Sequence, residues 1–117
     1  MQARLVEFGE IEVEGKRYMH DVVIDGGKVR KRKKGPSKES RQKFGHTPLS
    51  AGEKIPWGGK RLLVGTGAHG ALPIMDEVLA EAKRRGVGVI AAPTVEVCHL
   101  LDEVKKGQAH AILHCTC

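Results

Sequence analysis

From Arg61 to His114 three short apolar runs alternate with two stretches of helical periodicity, and that rhythm restricts a chain of 117 residues to a layered α/β arrangement. Arg61–Val64 (RLLV) reads as a short, buried strand. Pro73–Arg85 reads as a helix, with Ile74, Met75, Val78, Leu79 and Ala82 on one stripe. Asp76 and Glu77 lie in its first turn, Lys83, Arg84 and Arg85 in its last, and Gly86 is a stop, so the charges complement the helix dipole. Val87–Ala92 is a second apolar strand. Thr94 caps a second helix whose Val97, Leu100, Leu101 and Val104 face inward and which ends at Gly107, and Ala109–His114 is the last strand. Strands joined through helices need crossovers, so the sheet built here is parallel.

The beginning of the chain has the two-residue period of strands. Val6 and Phe8 alternate, then Ile11 and Val13 alternate in the opposite phase, which places a bulge or bend at Gly9. Glu14-Gly15-Lys16 is a hairpin turn leading into Arg17–Ile24, and Asp25-Gly26-Gly27 is a second turn. Lys28–Lys33 is a third strand, placed at an edge because its like charges favour water. Residues 35–60 lose all periodicity. The expectation is a single α/β (α+β) domain over 1–117 with three layers, β/β/α: a strand-rich part at 1–34 with antiparallel pairing, an irregular loop at 35–60, and a βαβαβ unit at 61–117 with parallel strands. No run of eighteen apolar residues is present, so no membrane partner is expected. MQARLVEFGE lacks the features of a signal or transit peptide, and three cysteines are an odd number, so a cytoplasmic location is expected.

VGTGAHGALP at 64–73 contains G-x-G-x-x-G at Gly65, Gly67 and Gly70, between a strand and a helix. Free N–H groups at such a corner suit an anion. A dinucleotide also needs an acid at the end of the following strand. That strand ends Ala91-Ala92-Pro93-Thr94, and the nearest acid, Glu96, lies inside the next helix. The corner is therefore first a tight structural turn and second a site for a small anion, with no cofactor. The binding candidates are Gly65, Gly67 and Gly70 with His46 and Arg32 as side-chain donors.

The last eight residues read HAILHCTC. On a strand, His110, Ile112, His114 and Thr116 share one face, and Ala111, Leu113, Cys115 and Cys117 the other. Cys115 and Cys117 are poor disulfide partners at this spacing, and C-x-C without a second ligand pair is not a zinc pattern, so no metal is expected. A catalytic thiolate needs a base within reach; the candidates are Cys115 and Cys117, with His46, His69 or His114. Cys98 sits beside the Val97/Leu101 stripe as core filling, and His99 faces solvent. Residues 28–43 (KVRKRKKGPSKESRQK) carry nine Lys/Arg and one Glu, a local balance of +8 that leaves −2 for the rest. Lys28, Arg30, Lys31, Arg32, Lys33 and Lys34 could follow a phosphate backbone. None of the four aromatics, Phe8, Tyr18, Phe44 and Trp57, is interleaved with them, so the first reading is a solvated edge whose lysines block strand pairing.

Taken in order, FGEIEVEGKRYMHDVVIDGG at 8–27, GHTPLS at 45–50, LLVGTGAHGALP at 62–73 and the stretch from Thr94 through HCTC at 94–117 resemble the adipogenesis-associated conserved-domain family, one branch of which includes mitochondrial complex I assembly factors. The resemblance covers nearly the whole chain. It implies a compact β/β/α three-layer domain and no established reaction. Relatives often carry an aromatic–Asn pair where this chain has Leu101-Asp102, and aromatics in the third strand where this chain has Lys and Arg.

The leading expectation is a small, soluble, non-enzymatic binding or assembly module acting on a protein partner or a small anion, uncharacterised in its chemistry and leaning away from enzymatic activity. One alternative is a thiol-dependent enzyme using a Cys/His pair. The other is a nucleic-acid or polyanion binder acting through residues 28–43, which is not favoured.

Overall fold

Gly9 is where the first strands bend. In the computed structural model, which describes residues 1–40 and 47–117, β1 (Ala3–Glu7) pairs antiparallel with β2 (Glu10–Val13), and the register slips between Leu5 and Glu7. The Glu14-Gly15 turn, with both residues at positive φ, returns the chain into β3 (Lys16–Tyr18) and completes a three-stranded sheet.

The expected strand Arg17–Ile24 is in fact two, which belong to different sheets. β3 ends at Tyr18, and β4 (Val22–Asp25) joins a second sheet. Burial explains the break. Lys16 and Arg17 are exposed, whereas Val22, Val23 and Ile24 are buried on both faces, and one continuous strand cannot serve both environments. Asp21, at the break, is itself buried by the ion network described below.

The second sheet has the order β5-β4-β8-β6-β7, with β5 (Lys28–Lys31), β6 (Arg61–Gly65), β7 (Gly88–Ala92) and β8 (His110–Leu113). β4 is antiparallel to β5 and β8, and β6 is parallel to β8 and β7. The basic strand β5 lies at an edge, as its charge requires. Alternate side chains build two cores. Val22, Ile24, Leu63, Ala111 and Leu113 face Ile11 and Val13 of the small sheet and Val97, Cys98 and Leu101 of α2 (Thr94–Asp102). Val23, Leu62, Val64 and Ile112 face Val78 and Ala82 of α1 (Asp76–Arg85), together with Leu49 and Ile55. The chain is thus an α+β domain of three layers, with the five-stranded sheet in the middle.

Both helices are shorter than their apolar patterns. α1 starts at Asp76 because residues 73–75 are held by Leu49: Leu49 N–H donates to Pro73 O, Met75 N–H donates to Leu49 O, and Leu49 bridges Ile74. Leu79, placed on the inward stripe by sequence, is 45% exposed. Its stop is as expected, with Gly86 left-handed at φ +71. α2 follows Pro93, and the Thr94 hydroxyl does not cap it but points elsewhere. It ends at Asp102 rather than near Gly107, and a single 3-10 turn, Lys106–Gln108, fills the interval. Residues 47–57 carry no regular element but still contribute Leu49, Ile55 and Trp57 to the second core. Among the described residues no helix is long and apolar enough to cross a membrane.

Candidate functional site

Where β4 begins and β8 ends, the sheet carries a buried ion network. Asp21 Oδ2 accepts from Arg32 Nη1 at 2.9 Å and from His114 Nδ1 at 2.8 Å, with Lys34 Nζ 3.4 Å away. Asp21 Oδ1 accepts from the Cys115 backbone N–H at 2.9 Å. Arg32 holds Glu53 bidentately, Nε to Oε1 and Nη2 to Oε2, both at 2.8 Å, and Nη2 also donates to Pro48 O. Ser37 Oγ donates to Glu53 Oε2 and lies against Ser50 Oγ. Burial pushes the Asp21 carboxyl up, but His114, the Cys115 N–H and Lys34 outweigh it and hold the group well below the usual carboxylate range.

The same His114 reaches Thr116 Oγ1 from its Nε2 at 3.2 Å, so carboxylate, imidazole and hydroxyl stand in a row. Proton-relay catalysis would also need donors aimed at a developing oxyanion. The adjoining glycine corner does not supply them. Gly67 N–H donates to Thr94 Oγ1 and Gly70 N–H to Gly67 O. Ala68 N–H donates to Thr116 O, and His69 and Ala71 N–H both donate to Cys117 O. Thr66 N–H donates to Ala92 O. The G-x-G-x-x-G corner is therefore a cradle filled by the chain's own residues 116 and 117. Added methyl groups show how close the approach is: a Cβ on Gly67 would lie 2.4 Å from Cys117 C, and one on Gly65 would lie 2.8 Å from Thr94 Oγ1. Open α/β sheets place ligands beyond the carboxyl ends of their parallel strands. Here that position is closed.

The opposite end of the same strands is open. A cleft of about 920 Å³ lies where β6 and β8 begin. Leu63, Ile90, Leu100 and Val104 give it an apolar lining. Lys60, Arg61 and Lys105 also line it, against one acid, Glu103. Gly58 and Gly59 form part of one wall because the His110 ring lies against them; a Cβ on Gly59 would sit 2.5 Å from His110 Nδ1.

Compared with solved structures, the chain is similar over 100% of its length to 100% of the conserved hypothetical protein PH1505 from Pyrococcus horikoshii OT3, with 31% sequence identity and a TM-score of 0.76. The chain belongs to the family of that protein. A second solved structure, MT938, is 26% identical over 99% of this chain and 98% of that one, with a TM-score of 0.66. No protein-family model matches the chain, and no curated protein does.

Several candidates read from sequence have other roles in this geometry. Arg32, expected as a surface donor, is 3% exposed, and its guanidinium is fully engaged by Asp21, Glu53 and Pro48. Gly67 and Gly70, expected to offer N–H groups to an anion, donate to internal acceptors instead, and Gly65 is packed against Thr94 and Leu113. His46 lies outside the described residues. His114 and Cys115 point to opposite sides of the sheet, as the alternation requires: Ile112, on the His114 face, lies in one core and Cys115 in the other. Among the described residues no cysteine sulfur is hydrogen-bonded to an imidazole.

Burial, then the charge and hydrogen bond of Asp21, push the Cys115 thiol up to about 12. Burial, then Asp102, push Cys98 up to about 11. A thiol at about 12 is only about one part in ten thousand thiolate at pH 8. Iodoacetamide at pH 8 is therefore expected to leave Cys98 and Cys115 unmodified in the folded chain and to label both after denaturation, read by mass spectrometry. Rapid labelling of native Cys115 would reinstate it as a nucleophile.

Sequence reasoning missed Asp21, Glu53 and the cleft. Asp21 left no decisive signal, since Asp25 flanks the same apolar run Val22-Val23-Ile24 on its other side and is exposed. Glu53 left none, because it belongs to a stretch without period.

Proposed function

We propose that the chain is a small cytoplasmic, non-enzymatic binding module, and that its site is the cleft at the start of β6 and β8 rather than the glycine corner. The ligand class is an organic anion with an apolar body. The observation that carries this is the cleft itself: its volume is in the range of small-molecule sites, its lining is apolar, and three cations stand against one acid. The raised thiol of Cys115, and the lack among the described residues of any hydrogen bond from the sulfur of Cys115 or Cys117 to an imidazole, speak against the thiol-enzyme alternative. The polyanion alternative loses support because the basic run is divided. Lys28 and Arg30 alternate with Val29 and Lys31 across β5, and Arg32 is buried. Membership of the adipogenesis-associated family belongs to the same proposal, as does an assembly role built on ligand or protein capture.

Titration of isotope-labelled protein with octanoate tests the site by NMR. Shift changes are expected in Gly58–Arg61, Leu100–Lys105 and Gly107–His110, with octanol binding about tenfold more weakly for want of the carboxylate, a difference of about 1.4 kcal/mol. Leu100→Glu, at a half-exposed position, is expected to abolish the response without unfolding the chain. Shifts scattered over the surface, or equal binding of both probes, would contradict the assignment.

A further inference from the structure

The two edges of the central sheet are protected very differently. β5 carries Lys28, Arg30 and Lys31, charges of the kind that keep edges from pairing. β7, at the other edge, reads Gly88-Val89-Ile90-Ala91-Ala92, and the whole stretch 86–95 (GVGVIAAPTV) has no charged residue. Gly88 N–H donates to Lys60 O and Ala92 O accepts from Thr66 N–H, so residues 88, 90 and 92 turn their backbone groups toward β6. In a strand the intervening residues point the other way, so Val89 and Ala91 each present an N–H and a C=O to the open edge. Among the described residues nothing pairs with them.

We infer that this edge pairs with the same edge of a second copy of the chain, antiparallel and centred on Ile90. The register is set by which donors are free. With Ile90 opposite Ile90 of the second copy, Val89 faces Ala91 in both directions and all four outward groups on each strand are satisfied. Shifting the centre to Val89 sets Ala91 against Val87, whose N–H already donates to Ala82 O. Shifting it to Ala91 sets Val89 against Pro93, which has no N–H. The Ile90-centred pairing brings the two Ile90 side chains together on one face, in the closely spaced non-hydrogen-bonded position. Ile90 is 36% exposed in the single chain, so it has apolar surface to bury there. Antiparallel pairing also brings the end of β7 that follows Lys83, Arg84 and Arg85 toward the end that precedes Glu96, whereas parallel pairing would set like against like. The product is a two-fold dimer with one continuous sheet across both copies.

The test is the mass of the intact chain by light scattering over a concentration series, together with hydrogen exchange. A dimer is expected, with the Val89 and Ala91 amides protected only at concentrations where it forms. Ile90→Lys, which sets two like charges across the two-fold, and Ala91→Pro, which removes an outward N–H, are expected to lose the dimer. Should Ala91→Pro fail to fold, Ile90→Lys and the exchange of native Val89 and Ala91 decide alone. A native chain that stays monomeric overturns the inference, as does a dimer in which those two amides exchange freely. Ile90 also lines the cleft, so octanoate binding is measured on the native chain diluted to monomer and on Ala91→Pro, whose residue is not part of that lining, and the two readings then fail separately.

Discussion

An Asp21→Asn variant is expected to lose about 3–5 kcal/mol of stability at pH 7, measured by urea denaturation, because it removes one charge from a buried network and leaves the others uncompensated. Asp21 alone connects four groups: Arg32 from β5's end, His114 and the Cys115 N–H from β8's end, and Lys34. The amide cannot accept from Arg32 and His114 on one oxygen while holding its N–H₂ against the Cys115 N–H. Either orientation leaves a buried donor facing a donor. The exposed pair Arg4–Glu12 has similarly short geometry, at 2.8 Å, and Glu12→Gln is expected to have little measurable effect since solvent already serves both partners. The pH dependence follows the same carboxylate. Its folded-state value lies well below the unfolded one, so its stabilisation is complete above about pH 4, the ordinary Asp range, and is lost as the pH falls below that. The native chain should weaken there by up to about 1.4 kcal/mol per pH unit from this group, and Asp21→Asn should lack that part of the slope. An unchanged acid limb in the variant would show that Asp21 is not the group responsible.

The layered architecture was legible because it depends on period. Alternation in β2, the apolar runs of β6, β7 and β8 and the helical stripes of α1 and α2 each follow from which side chains must leave water. The sequence also predicted the bend at Gly9, although the bulge itself falls between Leu5 and Glu7, and it predicted the stop at Gly86 and the basic edge strand, all local consequences of backbone freedom or charge. What escaped was set by long-range contacts. Arg32 reads as one cation in a solvated run, yet Glu53 and Asp21, remote in sequence, bury it. Thr94 has the composition of a cap, but its hydroxyl joins Gly67 N–H to His114 O instead, because β8 ends directly beneath it. Val78 and Leu79 were assigned to the same stripe, and only the packing of α1 on the sheet decides that Val78 is buried and Leu79 not. The cleft left no sequence signature: Leu63 and Ile90 come from strands, Leu100 and Val104 from α2 and the residues after it, and Lys60 and Lys105 from separate connections.

The G-x-G-x-x-G corner gives the sharpest test of what the glycines do, through Gly67→Ala. Gly67 has φ +108, a backbone region that a side chain enters at a cost of about 1–3 kcal/mol. The added methyl would also lie 2.4 Å from Cys117 C and 2.6 Å from Thr116 O, backbone atoms that cannot rotate away. Relief requires displacing residues 116 and 117 from the corner, with loss of the hydrogen bonds from Ala68, His69 and Ala71, and an overpacking cost of about 1–3 kcal/mol more. The expected total, about 2–6 kcal/mol, is a large part of the stability of an ordinary domain. Gly86→Ala isolates the backbone part: φ is +71 and nothing lies within 4 Å of the added carbon, so the cost should be about 1–2 kcal/mol. Thermal melts of the two variants without any ligand give the comparison. If the corner cradles the chain's own backbone, Gly67→Ala is far the worse and the amides of Ala68, His69 and Ala71 lose protection from exchange. If it cradles a dissociable anion instead, the two variants melt alike in a phosphate-free buffer and Gly67→Ala differs only once the anion is added.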